Sequence, residues 1–145
     1  MKRILLLGLG FLGPIATVAE TPAFPARTYS IEFTQSPEPI VDALEKASKR
    51  EGLQCYRSET AVPIQCEFAT GKHGVLDLEE ELNEHTVEIR AYADTPYPMD
   101  DRIDPAMERA LLRSFELLSK KDILHIEQCL RTNHGNYQCR RLRFH

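Results

Sequence analysis

Four side chains near the end of the chain, His125, Arg141, Arg143 and His145, are of the types from which acid-base and phosphate chemistry is built. Imidazoles exchange protons near neutral pH, and guanidinium groups grip phosphate oxygens in paired hydrogen bonds. Such a set would suit a small secreted hydrolase of the nuclease kind. The same residues also suit an edge hairpin that uses charge to keep other strands away.

Other chemistry is weaker. Cys129, Cys139, His125 and His134 can be drawn as a zinc site, but no Cys-x-x-Cys spacing exists and an oxidising compartment would remove the thiolates. Asp77, Glu79, Glu80, Glu81 and Glu84 form an acidic run, better read as a solvated face than as a catalytic pair. Asp100, Asp101 and Asp104 lack the pattern of a calcium loop. Serine elbows, glycine-rich phosphate loops and His-Glu-x-x-His are absent, so neither cofactor nor metal is expected. The loop from Tyr92 to Met99 instead carries Tyr97 and Met99 beside Asp100 and Asp101, a composition that protein-binding loops use.

The compartment follows from the first residues. Lys2 and Arg3 precede the apolar run Ile4 to Leu12, and Thr17 and Ala19 stand three and one residues before a cut ahead of Glu20. Residues 1–19 therefore read as an export signal, with an apolar run about half as long as a membrane span requires. The first cysteine is Cys55, so no lipid-bearing cysteine stands at the cut, and no Asn-x-Ser/Thr site is present. A periplasmic or secreted chain without a membrane span after cleavage is expected, with a leader over 20–26 and one domain over 27–145.

That domain must position the candidate residues. Tyr29, Ile31 and Phe33 alternate with polar residues as a strand. Ser36-Pro37 opens a helix whose Ile40, Ala43, Leu44 and Ala47 share a face. Extended runs around Cys55 and Cys66 suit a hairpin, with Leu53 opposite Phe68 and the cystine pointing into the core. Residues 74–84 fit a strand with an acidic outer face better than a helix, and residues 86–93 alternate as another. Asp104-Pro105 opens a second helix with Met107, Leu111, Phe115 and Leu118 on one face.

Placing Cys129 opposite Cys139 settles the last hairpin. Ile126 then meets Leu142 and Leu124 meets Phe144 on one face, while Glu127 meets Arg141 and His125 meets Arg143 on the other. Residues Thr132 to Asn136 are left as the turn. Local pairing, Cys55 with Cys66 and Cys129 with Cys139, is expected in an exported chain. The order strand, helix, strand, strand occurs twice, over about 27–70 and 86–145, which suggests a duplicated unit. The expected fold is α+β: an antiparallel sheet of about six or seven strands with two helices on one face.

The chain of 145 residues is 42% apolar and 28% charged with a formal charge of −4, which excludes a disordered tail, a polytopic membrane protein and a generically basic nucleic-acid binder. The charge is unevenly placed: residues 77–104 hold ten acids and two arginines, whereas residues 105–145 hold eight bases and four acids. These features point to an exported, non-enzymatic binding protein, an inhibitor or immunity protein acting on an envelope enzyme. Its partner would be another protein of the cell envelope, with no nucleic acid. The alternatives are a periplasmic ligand-binding or envelope-assembly accessory protein, and the small hydrolase.

Overall fold

The computed structural model describes residues 24–57, 64–80, 85–93 and 100–143. Seven strands and two helices follow one another as β1 (Arg27–Phe33), α1 (Pro39–Arg50), β2 (Leu53–Arg57), β3 (Ile64–Phe68), β4 (Val75–Glu80), β5 (Thr86–Tyr92), α2 (Pro105–Glu116), β6 (Ile123–Arg131) and β7 (Tyr137–Leu142). All seven strands form one antiparallel sheet in the order β2-β3-β4-β5-β1-β6-β7. The fold is α+β, as its hydrophobic periodicities require. The expected signal, residues 1–19, lies outside the described residues, as do residues 20–23 of the leader.

Register explains why one sheet face is dry. Tyr29 pairs with Ile89, a row that continues through Leu78 to Ile64; Ile31 pairs with Val87, and a further row runs from Ala91 through Leu76 to Cys66. On the other side Ile31 pairs with Ile126. Because side chains alternate along a strand, these apolar residues all point to the same face. They join Ile40, Leu44, Met107, Leu111 and Phe115 from the helices in one core. Burying each of Ile31, Ile89 and Leu44 completely contributes roughly 1.5–3 kcal/mol. The opposite face carries no packed helix or strand among the described residues.

Both helices have identifiable starts and stops. In α2, Asp104 accepts a hydrogen bond from the Ala106 N–H at 2.9 Å and Pro105 occupies the first turn. α1 begins at Pro39, two residues beyond the expected Pro37, because the Ser36 hydroxyl accepts from the Glu38 N–H at 3.2 Å and holds a turn before the helix proper. Lys49 and Arg50 complement the dipole at its C-terminus, and Gly52, at φ +86°, carries the chain out. Residues 75–80 are strand, with Leu76 and Leu78 inward and Asp77 outward.

Both cystines form as expected: Cys55–Cys66 on β2 and β3 and Cys129–Cys139 on β6 and β7. Cys66 is fully buried, whereas the second bond lies on the open face. The expected turn is present as well, with the Thr132 N–H donating to Asn136 O at 2.7 Å and Gly135 at φ +84°.

Two expectations are corrected. Leu124 does not join the apolar row but is 59% exposed, because Glu32 pairs with His125 and Phe33 with Ile123, leaving Leu124 as the extra residue of a bulge. Ile123 takes its place against the core. Its expected partner Phe144 lies outside the described residues, and the β6–β7 register ends at Ile126 with Leu142, short of His125 and Arg143. The leader also ends earlier than expected: Ala26 is buried, donates to Ala91 O at 2.9 Å and accepts from the Arg131 N–H at 3.0 Å. The two helix-containing halves share their element order, but β2 lies at a sheet edge whereas β6, its counterpart, lies beside β1.

Candidate functional site

The sheet divides the charges of the chain across its open face. Asp77, Glu79 and Glu88 project outward from β4 and β5, while His125 and Arg131 on β6 and Arg141 on β7 project from the far side of the same face. An acidic half and a basic half thus meet near β1, so the segregation along the sequence becomes segregation in space.

The acidic half holds its own counterion. Arg90 reaches Glu79 at 2.9 Å and Glu88 at 3.3 Å. Burial, followed by Glu79, pushes the Asp77 carboxyl above its ordinary 3.8 although Arg90 opposes the shift. An acid whose pKa rises on folding favours the folded state most when protonated, so this stability is lost as pH rises from 3.8 through the raised value. Asp77→Asn is therefore expected to raise the thermal midpoint at about pH 7 and leave it unchanged near pH 3, where both states carry the proton. Melting curves of the two proteins at both pH values check this.

The basic half is the terminal hairpin. β7 forms the sheet edge, and its residues Tyr137 to Arg141 are exposed whichever face their side chains take. Arg141 faces outward opposite Glu127, and Arg140 lies on the inner side. Arg140 is tied down: its Nε donates to Gln128 Oε1 at 2.9 Å, and Gln128 Nε2 donates to the Tyr29 hydroxyl at 3.0 Å. This relay runs from the core to the edge strand. Arg131 lies over the Phe24 ring at 5.1 Å and near the Tyr137 ring at 5.9 Å, while the Tyr137 hydroxyl donates to Pro25 O at 2.6 Å. The start of the described chain is thereby fastened to the hairpin tip.

The other candidate residues disperse. His125 is about one third exposed, and its Nδ1 lies 3.4 Å from Glu32 Oε1. Tyr97, Met99 and His145 lie outside the described residues. Asp100 turns back on Arg102, accepting from its backbone N–H at 2.9 Å and its Nε at 2.7 Å; that amide, then the guanidinium, holds the carboxyl below its ordinary range. The carbonyl of Asp101 accepts from Arg27 Nε at 2.7 Å, and Arg27 also binds Glu108, which pins α2 to the start of β1. Asp104 caps α2 and pairs with Lys72, whose hydrogen bond is the first cause of its lowered carboxyl pKa. These three acids serve the local fold and do not converge on one point. Among the described residues, the one group of potential ligands within reach of a shared ion is Glu127 with Cys129 and Cys139, and its sulfurs are bonded to each other.

Arg140, Gln128 and Tyr137 were not singled out by sequence reasoning. A signal was present: Cys129 opposite Cys139 puts Gln128 and Arg140 on the side where Ile126 and Leu142 lie, and polar residues there mark where the helices stop covering the sheet. Elsewhere, an open groove of about 500 Å³ runs beside α1, lined by Pro39, Asp42, Lys46 and Leu117. No family model matches the chain, and no curated protein matches it.

Proposed function

We propose that this chain is an exported, non-enzymatic binding protein that docks another protein of the cell envelope, as an inhibitor or immunity protein does, and that the terminal hairpin is the docking surface. The observation that carries this reading is β7: an edge strand exposed on both faces, basic, and held rigid by the Cys129–Cys139 bond and the Tyr29–Gln128–Arg140 relay. A surface ordered before binding loses little conformational entropy when the partner arrives. Arg140, Arg141 and Arg143 would steer an acidic partner and set its orientation. The cystines are compatible with an oxidising, exported compartment, and no described helix is long and apolar enough to cross a membrane.

The test is capture from the envelope fraction of the producing cell. Mature protein is expected to retain one stoichiometric protein partner at physiological salt, and the Arg140→Glu/Arg141→Glu/Arg143→Glu variant is expected to lose it. A partner retained equally by both would place the docking surface elsewhere, and no partner for either would remove the reading.

A further inference from the structure

The orientation of the β7 backbone identifies what the edge can receive. In an antiparallel pair, opposed residues whose Cα atoms lie close together exchange no backbone hydrogen bonds, while their neighbours do. Cys129 and Cys139 have Cα atoms 4.0 Å apart, which marks a pair without such bonds. Two other contacts agree with this phase. Thr132 donates to Asn136, as a bonded pair three positions along should, and the Arg131 N–H turns away from β7 to Ala26. The N–H and C=O of Tyr137, Cys139 and Arg141 therefore point away from β6, towards the open edge. Each of these residues offers one donor and one acceptor in strand geometry.

Charge selects the occupant. Arg141 projects to the outer face and Arg140 to the inner face, so an incoming strand meets a guanidinium on either side of its own plane. A second β7 would gather two Arg140–Arg141 pairs along one seam, and a neutral strand would gain nothing from them. The other sheet edge is not equivalent, because Arg57 on β2 is engaged by Asp42 and Glu45 of α1 at 2.6 Å each.

We propose that β7 receives an extended acidic segment of the partner protein by strand addition, with two adjacent carboxylates opposite Arg141 and Arg140. The proposal rests on the protein-binding reading above and names the form of the partner. Backbone pairing supplies attraction that is indifferent to sequence, and the two arginines exclude basic and self-pairing strands.

The probe is an eight-residue peptide of threonine and valine with Glu-Glu at its centre, titrated into the mature protein by fluorescence anisotropy. Two controls accompany it: the same peptide with Lys-Lys, and the Glu-Glu peptide N-methylated at alternate backbone amides. The Glu-Glu peptide is expected to bind at least tenfold more tightly than either control, and Arg140→Gln/Arg141→Gln is expected to abolish its preference over Lys-Lys. Equal binding of the N-methylated peptide would overturn strand addition, since charge alone would then account for the affinity. Absence of peptide binding, or a concentration-dependent dimer in its place, would also overturn it. Neither outcome would touch the protein-binding reading if envelope capture still depends on the arginines.

Discussion

Replacing Cys55 and Cys66 together by alanine is expected to lower folding stability by about 4 kcal/mol, whereas the same change at Cys129 and Cys139 is expected to cost about 3 kcal/mol. The bonds close loops of nearly equal length, with sequence separations of 11 and 10, so the constraint each places on the unfolded chain is almost the same, about 3 kcal/mol. What separates them is position. Cys66 is fully buried and Cys55 packs against the core, so alanine at both leaves a small void beneath α1 as well as a freer chain. The other bond lies on the open face, and its removal leaves no cavity. Denaturant titrations of the two double variants beside the parent measure both losses. A larger loss at the terminal hairpin would contradict the assignment of the first cystine to the core.

The second large effect is expected at Gly74, just before β4. Its φ of +125° lies in a region that side-chain-bearing residues rarely adopt, and a Cβ there would come within 2.9 Å of Met107 Sδ and 3.3 Å of the Phe68 ring. Backbone strain of about 1–3 kcal/mol adds to overpacking of similar size, so Gly74→Ala is expected to destabilise by roughly 3 kcal/mol or more. Gly71 supplies the control: its φ is +82°, but nothing lies within 4 Å of its added Cβ, and Gly71→Ala is expected to cost only about 1 kcal/mol. Equal losses in the two variants, measured by the same titrations, would show that contact with α2 does not matter at Gly74.

These two sites differ in how far the sequence reveals them. The core cystine is legible because alternation along Leu53 to Tyr56 and Ile64 to Phe68 has only one phase that buries the apolar residues. The Asp104 cap and the strand over 75–80 are legible for similar local reasons. Nothing local marks Gly74, whose tightest constraint comes from Met107, distant in the chain. Leu124 misleads for a related cause, since its bulge depends on how β6 meets β1. At the candidate site, opposing Cys129 and Cys139 is enough to place Arg141 on the open face. The charges of that hairpin suit a sheet edge, but nothing local shows which strand it joins, since that depends on β6 entering beside β1. The rigidity of that edge depends in turn on the Tyr29–Gln128–Arg140 relay, whose ends lie far apart in sequence.

The most direct test of the docking claim is an equilibrium titration of the captured envelope protein against the parent, the Arg140→Glu/Arg141→Glu/Arg143→Glu variant and Asp77→Asn. The arginine variant is expected to bind at least about 100-fold more weakly, since close interfacial charge pairs couple strongly, and Asp77→Asn to bind as the parent does. Unchanged affinity in the arginine variant, with its fold intact, would contradict it.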